Sequence, residues 1–321
     1  MEVCGADAQI PLEIPDTAYD VYCGICYIPS HGVTYSLIPL RVDTAVHDGQ
    51  SKMSLTLIDT EFRGQLLVQW TLQNVALRRL QLHIQNVRNK VGVLGPFLAF
   101  DGEFDEQSNV TISNSSFTFA PSSSDLFLQL GADFTMSGGS LVQIVGSVFK
   151  MVDDASGTVI RETNIIATRL ATEQPPLILD GGASIVFSGN IIQVSNPLLV
   201  SETAWDFSVL KARKGISLTH HQQQEIIINS TMITISDNIF KMDRIVAAIV
   251  VWSLIEIAGH NFQLDNVSTV NITGNNIRWK NSNITSSSSG VESFFIRSGN
   301  LQLLERSRIT ISDNTISDNG F

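Results

Sequence analysis

Ile233–Asn238 reads ITISDN, and the same six letters return at Ile309–Asn314. A shared hexapeptide decides nothing unless its surroundings repeat, and they do. Aligned on the second apolar residue, one register holds Val110-Thr-Ile112, Val142-Gln-Ile144, Ile185-Val-Phe187, Ile233-Thr-Ile235, Val270-Asn-Ile272 and Ile309-Thr-Ile311. The anchors 112, 144, 187, 235, 272 and 311 lie 32, 43, 48, 37 and 39 residues apart, so loops of uneven length interrupt each unit. Around each anchor apolar and polar residues alternate, the period of a half-buried strand rather than of a helix.

Three residues past the anchor stand Asn190, Asn238, Asn275 and Asn314, with Ser115 and Ser147 in the two earlier units. Asn tolerates left-handed backbone and bonds neighbouring backbone groups, so it suits a bend between two strands. A second apolar block precedes each anchor: Phe97–Gly102, Leu126–Gly131, Leu177–Gly182, Phe207–Leu210, Trp252–Gly259 and Phe294–Gly299. Short strands in fixed order, a bend carrying Asn or Gly and variable loops predict an all-β fold, a parallel β-helix of about six or more coils in which like residues stack on an asparagine ladder. A β-propeller repeats at a similar length but needs four strands and tight hairpins per blade, and Asn-Gly or Asp-Gly turns are scarce here. We expect the helix over residues 92–321 and a less regular N-terminal region over 1–91, a cap or incomplete coils such as Leu80-Gln-Leu-His-Ile84, with any α-helix confined there. The stop seven residues after the second ITISDN leads us to expect a piece of a longer solenoid, because an open end bares strand edges and apolar faces.

Composition narrows the classes. Only 16% of residues are charged, the formal net charge is −11, and no run of Lys or Arg suits a phosphate backbone. The most apolar run, Ile245–Leu254, is too short for a bilayer span and is followed by Glu256, which reads as buried strand. The opening MEVCGADAQIPLEIPD has neither a basic n-region nor an apolar h-region.

Units such as Trp252-Ser-Leu-Ile-Glu-Ile-Ala-Gly259 followed by Ser268-Thr-Val-Asn-Ile-Thr-Gly-Asn-Asn276, and Gly181-Gly-Ala-Ser-Ile-Val-Phe-Ser-Gly-Asn190, resemble the trypanosome surface proteins of the dispersed gene family. The resemblance covers about Phe97 to Phe321. It implies a right-handed, pectin-lyase-like coil in a cell-surface or secreted protein with a role in adhesion. Extended solenoid surfaces suit large partners, so we expect glycans or extracellular matrix proteins.

Enzymes of this architecture set the rival expectation. Galacturonan hydrolases hold an acid and a base on one face, and Asp153-Asp154, Gly259-His260-Asn261 and Arg278-Trp279-Lys280 imitate three of their elements in order. More than a hundred residues part Asp154 from His260, too far for adjacent coils, so we expect no catalytic residues. Asp237 and Asp313 share a repeat position with one unit between them. Glu103, Asp105 and Glu106 read as a loop rather than a calcium site, and His220-His221 as part of a polar insertion. Cys4, Cys23 and Cys26 with His31 fit no zinc spacing, so neither metal nor cofactor is expected. Sequons at Asn109, Asn114, Asn229, Asn266, Asn271 and Asn283 are candidate glycosylation sites, Asn283 within a loop and Asn109 and Asn271 on repeat strands.

Overall fold

The computed structural model describes residues 26–29, 34–35, 54–58, 61–62, 68–70, 76–78, 81–89, 98–100, 103–105, 107–119, 124–131, 134–152, 162–168, 177–195, 204–212, 225–243, 246–247, 249–280, 283–284 and 291–318. They contain strands, turns and bends and no helix, near the N-terminus or elsewhere. Three long sheets of parallel strands stack side by side, and the chain visits them in the same order unit after unit, the arrangement of a parallel β-helix.

Sheet 1 carries the repeat anchors. Ile112, Ile144, Phe187, Ile235, Ile272 and Ile311 are directly paired, each with the next. The ladder continues towards the N-terminus without a change of register, through Gln81–Gln85 and Ser54–Ile58 to Cys26–Pro29, so this sheet has nine strands. Alternation does what the pattern predicts. Val110 and Ile112 are buried while Asn109, Thr111 and Ser113 face outward, and the strands beside them repeat this.

After the bend comes sheet 2, with Ser116–Phe119, Val148–Val152, Ile191–Ser195, Ile239–Asp243 and Asn276–Lys280 among its strands. Their inward residues meet those of sheet 3 in an aromatic core: Phe117 packs on Phe127 at 4.7 Å, and Phe240 on Phe207 and Trp252 at 5.9 and 5.7 Å. Part of the run that the sequence marked as buried strand lies here, Val251–Leu254 being buried within Ile249–Asp265.

Sheet 3 corrects the second apolar block, which is two lanes and not one. Leu98–Phe100, Ser124–Leu130, Glu162–Thr168 and Ala204–Ala212 form the first lane. Ile178–Leu179 stacks instead in a second lane, on Thr135–Met136 and under Glu225–Asn229. Both lanes combine apolar residues with a following glycine, so spacing alone merged them and passed over Glu162–Thr168. The strands Ile249–Asp265 and Val291–Leu303 run through both lanes, with a register shift between Ile257 and Asn261.

The bend between sheets 1 and 2 also divides its labour differently from the sequence expectation. The left-handed residue is the one before the asparagine column: Asn114, Gly146, Gly189, Asp237, Gly274 and Asp313 have φ between 50° and 67°. Gly274 is needed there on two counts, since a Cβ would also come within 2.4 Å of Asp237 Oδ1. Freed from that task, Asn190, Asn238 and Asn275 turn inward and are fully buried.

Asn238 shows why burial is tolerated. Its Nδ2 donates to Phe187 O at 3.0 Å and to Asn275 Oδ1 at 2.9 Å, while its Oδ1 accepts from Asn190 N at 2.9 Å and Asn190 Nδ2 at 3.1 Å. A leucine of similar size keeps the shape and strands these partners, each orphan worth about 1–3 kcal/mol. We therefore expect Asn238→Leu to lose about 3–5 kcal/mol in urea unfolding and Asn238→Ser, which copies Ser147, to lose roughly half as much; equal losses would show that the column works by packing alone.

Candidate functional site

Two side-chain systems stand out from the repeat. The first is the ladder itself. Asn275 Nδ2 donates to Asn314 Oδ1 at 2.8 Å and to Ile235 O at 2.8 Å, and Asn314 Nδ2 to Ile272 O at 2.8 Å. At the other end Ser147 N donates to Asn190 Oδ1 at 2.9 Å, Ser115 N to Ser147 Oγ at 3.2 Å, and Val87 N to Ser115 Oγ at 3.0 Å. The column joins seven successive bends and leaves no side chain directed at a ligand.

The second system was missed in the sequence. On sheet 3 Ala167, Lys211, Glu256 and Arg297 form one column, with Glu162 and Asp206 stacked beside it. Lys211 Nζ lies 2.7 Å from Glu162 Oε1, 2.5 Å from Asp206 Oδ2 and 3.1 Å from Glu256 Oε2, and its side chain is only 7% exposed. Arg297 Nη1 donates to Glu256 Oε1 at 3.3 Å from a half-exposed position. The signal was present: Leu210-Lys211, Ile255-Glu256 and Ile296-Arg297 each put a charge directly after an apolar residue at one repeat position.

Burial pushes the Lys211 ammonium down, but hydrogen bonds to Asp206 and Glu162 outweigh it, and the group stands above its usual 10.5. Burial likewise raises the Glu256 carboxyl above 4.5, opposed by Lys211 and Arg297 and reinforced by Asp206. Chemically the column offers a fixed ammonium, a carboxyl inclined to hold its proton and a partly open guanidinium.

Asp153, Asp154, Glu106, Cys4, Cys23, His31, His220 and His221 lie outside the described residues; Cys26 and His260 sit on strands whose side chains there are likewise outside them. His260 belongs to sheet 3 and Lys280 to sheet 2. Glu103 Oε1 and Asp105 Oδ1 both accept from Ser137 Oγ, at 3.2 and 3.0 Å, on a strand and not in a loop. Among the described residues no group of three or more His, Cys, Asp or Glu could hold a metal ion. Asp237 and Asp313 are exposed at left-handed bends with the Gly274 rung between them.

Of the sequons, Asn114 and Asn266 are exposed at turns, Asn109 accepts from Thr111 Oγ at 2.8 Å, and Asn271 is half-buried on the outer face of sheet 1. Asn229 and Asn283 lie on strands whose side chains are outside the described residues; Asn283, expected in a loop, pairs with Val246. Between two bends, Gly182, Ser184, Ser230, Met232, Val267 and Thr269 line a shallow cleft of about 370 Å³ without an ionisable group.

Removing the ammonium from among three carboxylates should be severe, so Lys211→Met is expected to lose about 3–5 kcal/mol at pH 7. Glu256→Gln should lose less, because Asp206 and Glu162 still hold Lys211. A raised lysine stabilises fully below its unfolded pKa and loses that contribution as pH climbs through the folded value. The gap between parent and Lys211→Met should accordingly narrow above about pH 10.5 in urea titrations; a gap independent of pH would remove the ammonium from this account.

No protein-family model matches this sequence, and neither a curated protein nor a solved structure matches the chain.

Proposed function

We propose that the chain is a non-catalytic β-solenoid segment of a cell-surface or secreted protein, which binds extended ligands such as glycans or matrix proteins along its sheet faces. The observation that carries this reading is the outer face of sheet 1. Over the strands from Gln81–Gln85 to Arg308–Ser312, outward positions hold His83, Thr111, Gln143, Val186, Thr234, Asn271 and Thr310 in one column and Gln85, Ser113, Val145, Ser188, Ser236, Thr273 and Ser312 in the next. No carboxylate stands on this face in a chain of net charge −11, and His83 and Arg308 are its ionisable groups.

Such a surface is poor in charge and rich in hydroxyl and amide groups at a strand spacing of about 4.8 Å, with Leu141, Val145, Val186 and Met232 standing among them. It suits a long polyhydroxylated partner that makes many modest hydrogen bonds, as extended solenoid surfaces do. The resemblance to dispersed gene family surface proteins supports the same placement.

The rival reading, a polysaccharide lyase or glycoside hydrolase on this scaffold, has one observation in its favour, the buried carboxyl of Glu256 beside Lys211. A general acid must reach its substrate, and Glu256 is only 5% exposed along its side chain.

The triple substitution Thr111→Ala, Thr234→Ala, Asn271→Ala should weaken binding on a glycan and matrix-protein panel by about tenfold and leave the melting temperature nearly unchanged. Polysaccharide turnover that disappears in Glu256→Gln would replace this reading with the enzymatic one.

A further inference from the structure

The linear sequence has no basic run, yet folding assembles one. On the outward face of sheet 2, Thr118, Lys150, Gln193, Lys241, Arg278 and Ser317 form a single column, each directly across from the next. Lys150, Lys241, Arg278 and the neighbouring Lys280 are exposed. Lys241 and Arg278 are immediate cross-strand neighbours, like charges about 4.8 Å apart along the stack, an arrangement that costs stability.

Nothing described in the fold offsets that cost. The ion pairs among the described residues belong to Lys211 and Arg297 on sheet 3. Arg278 Nε donates to the neutral Asn276 Oδ1 at 3.1 Å. Asp243, across from Lys280, is the one carboxylate in the strands of this sheet from Ser116 to Lys280. Beside the cations runs a half-buried apolar strip of Val148, Ile191 and Ile239.

We propose that this column binds a linear acidic polysaccharide, a uronate-bearing or sulfated chain lying along the stacking axis. The inference rests on the surface-binding reading and adds a second face with a ligand of its own. Three cations spread over three rung spacings, about 14 Å, match a narrow chain with an anionic group on successive or alternate sugars. Guanidinium and ammonium groups take carboxylate and sulfate oxygens, and the Val148–Ile191–Ile239 strip suits the C–H faces of pyranose rings. The column is one residue wide in a protein of net charge −11. A duplex or a bilayer would bring its wider anionic surface against the acidic remainder, whereas a single polysaccharide chain meets the column alone.

The test uses the full chain with polygalacturonate and chondroitin sulfate as acidic probes, a neutral glucan for comparison, and duplex DNA and anionic phosphatidylserine vesicles as competitors. The parent should bind an acidic probe, with affinity falling steeply between about 0.05 and 0.5 M salt as the charges are screened. Replacing Lys150, Lys241 and Arg278 by Gln, the residue already present at 193, should weaken that binding by about tenfold or more. Its melting temperature should hold or rise as the like-charge contact is relieved, and neutral-glycan binding through sheet 1 should persist. Failure of the parent to bind either acidic probe overturns the column as a site, and retained neutral-glycan binding in the same sample leaves the sheet 1 reading standing. Equal or tighter binding of DNA or vesicles overturns the assignment to polysaccharide.

Discussion

Everything in this molecule depends on equivalent residues of successive units meeting at the spacing of one hydrogen-bonded strand. A parallel strand cannot turn back on its neighbour, so each unit must travel through all three sheets before it can pair again. The reward is that one good solution repeats. An isoleucine that fits at 235 fits at 272, and an asparagine that bonds its own rung and the next completes a chain of amides through the protein. The same logic makes single residues costly, because each buried amide is donor to one neighbour and acceptor from another.

Stacking also explains how much could be read in the sequence. Where a column demands one kind of residue, the letters repeat. The anchors 112 to 311 and the asparagine column stood out at once, and sheet 1 pairs in that register to the residue. Where a column accepts several solutions, the letters diverge. The first lane of sheet 3 holds Leu128, Ile166, Leu210 and Ile255 in one column and Ala167, Lys211, Glu256 and Arg297 in the next. Its apolar members resemble those of the second lane closely enough that the two merged, and the charge column was hidden because opposite charges do not look like a repeat. The bend was misread for a related reason: Asn serves both a left-handed position, as at Asn114, and an inward ladder position, as at Asn238. Only the neighbouring Gly or Asp reveals which task falls to which residue.

Exposure at the last described rung follows from the same dependence. Ile272 and Ile277 are fully buried, while Ile311 and Ile316, in the same two columns, are 46% and 53% exposed because no described rung lies over them. The buried state of any rung is thus a property of its neighbours, which is why stability in such proteins is shared between adjacent units rather than held in one core.

Two columns of charge show what the lattice does with ions. In both, side chains are held one strand apart, and proximity magnifies whatever sign they carry. On sheet 3 the signs alternate, Glu162 and Asp206 to Lys211 to Glu256 to Arg297, so desolvation is met by contacts at 2.5 to 3.3 Å and the group closes on itself. On sheet 2 the signs agree, Lys150, Lys241 and Arg278, with only the neutral Gln193 between the first two, and the side chains stay in water. A column of alternating sign meets its charge within the fold, and Lys211 and Glu256 are buried there. A column of like charge finds no such match among the described residues, and on the reading above an acidic ligand supplies it. The same repeat geometry therefore separates a structural use of charge from a recognition surface, and it does so by the order of signs along the stack.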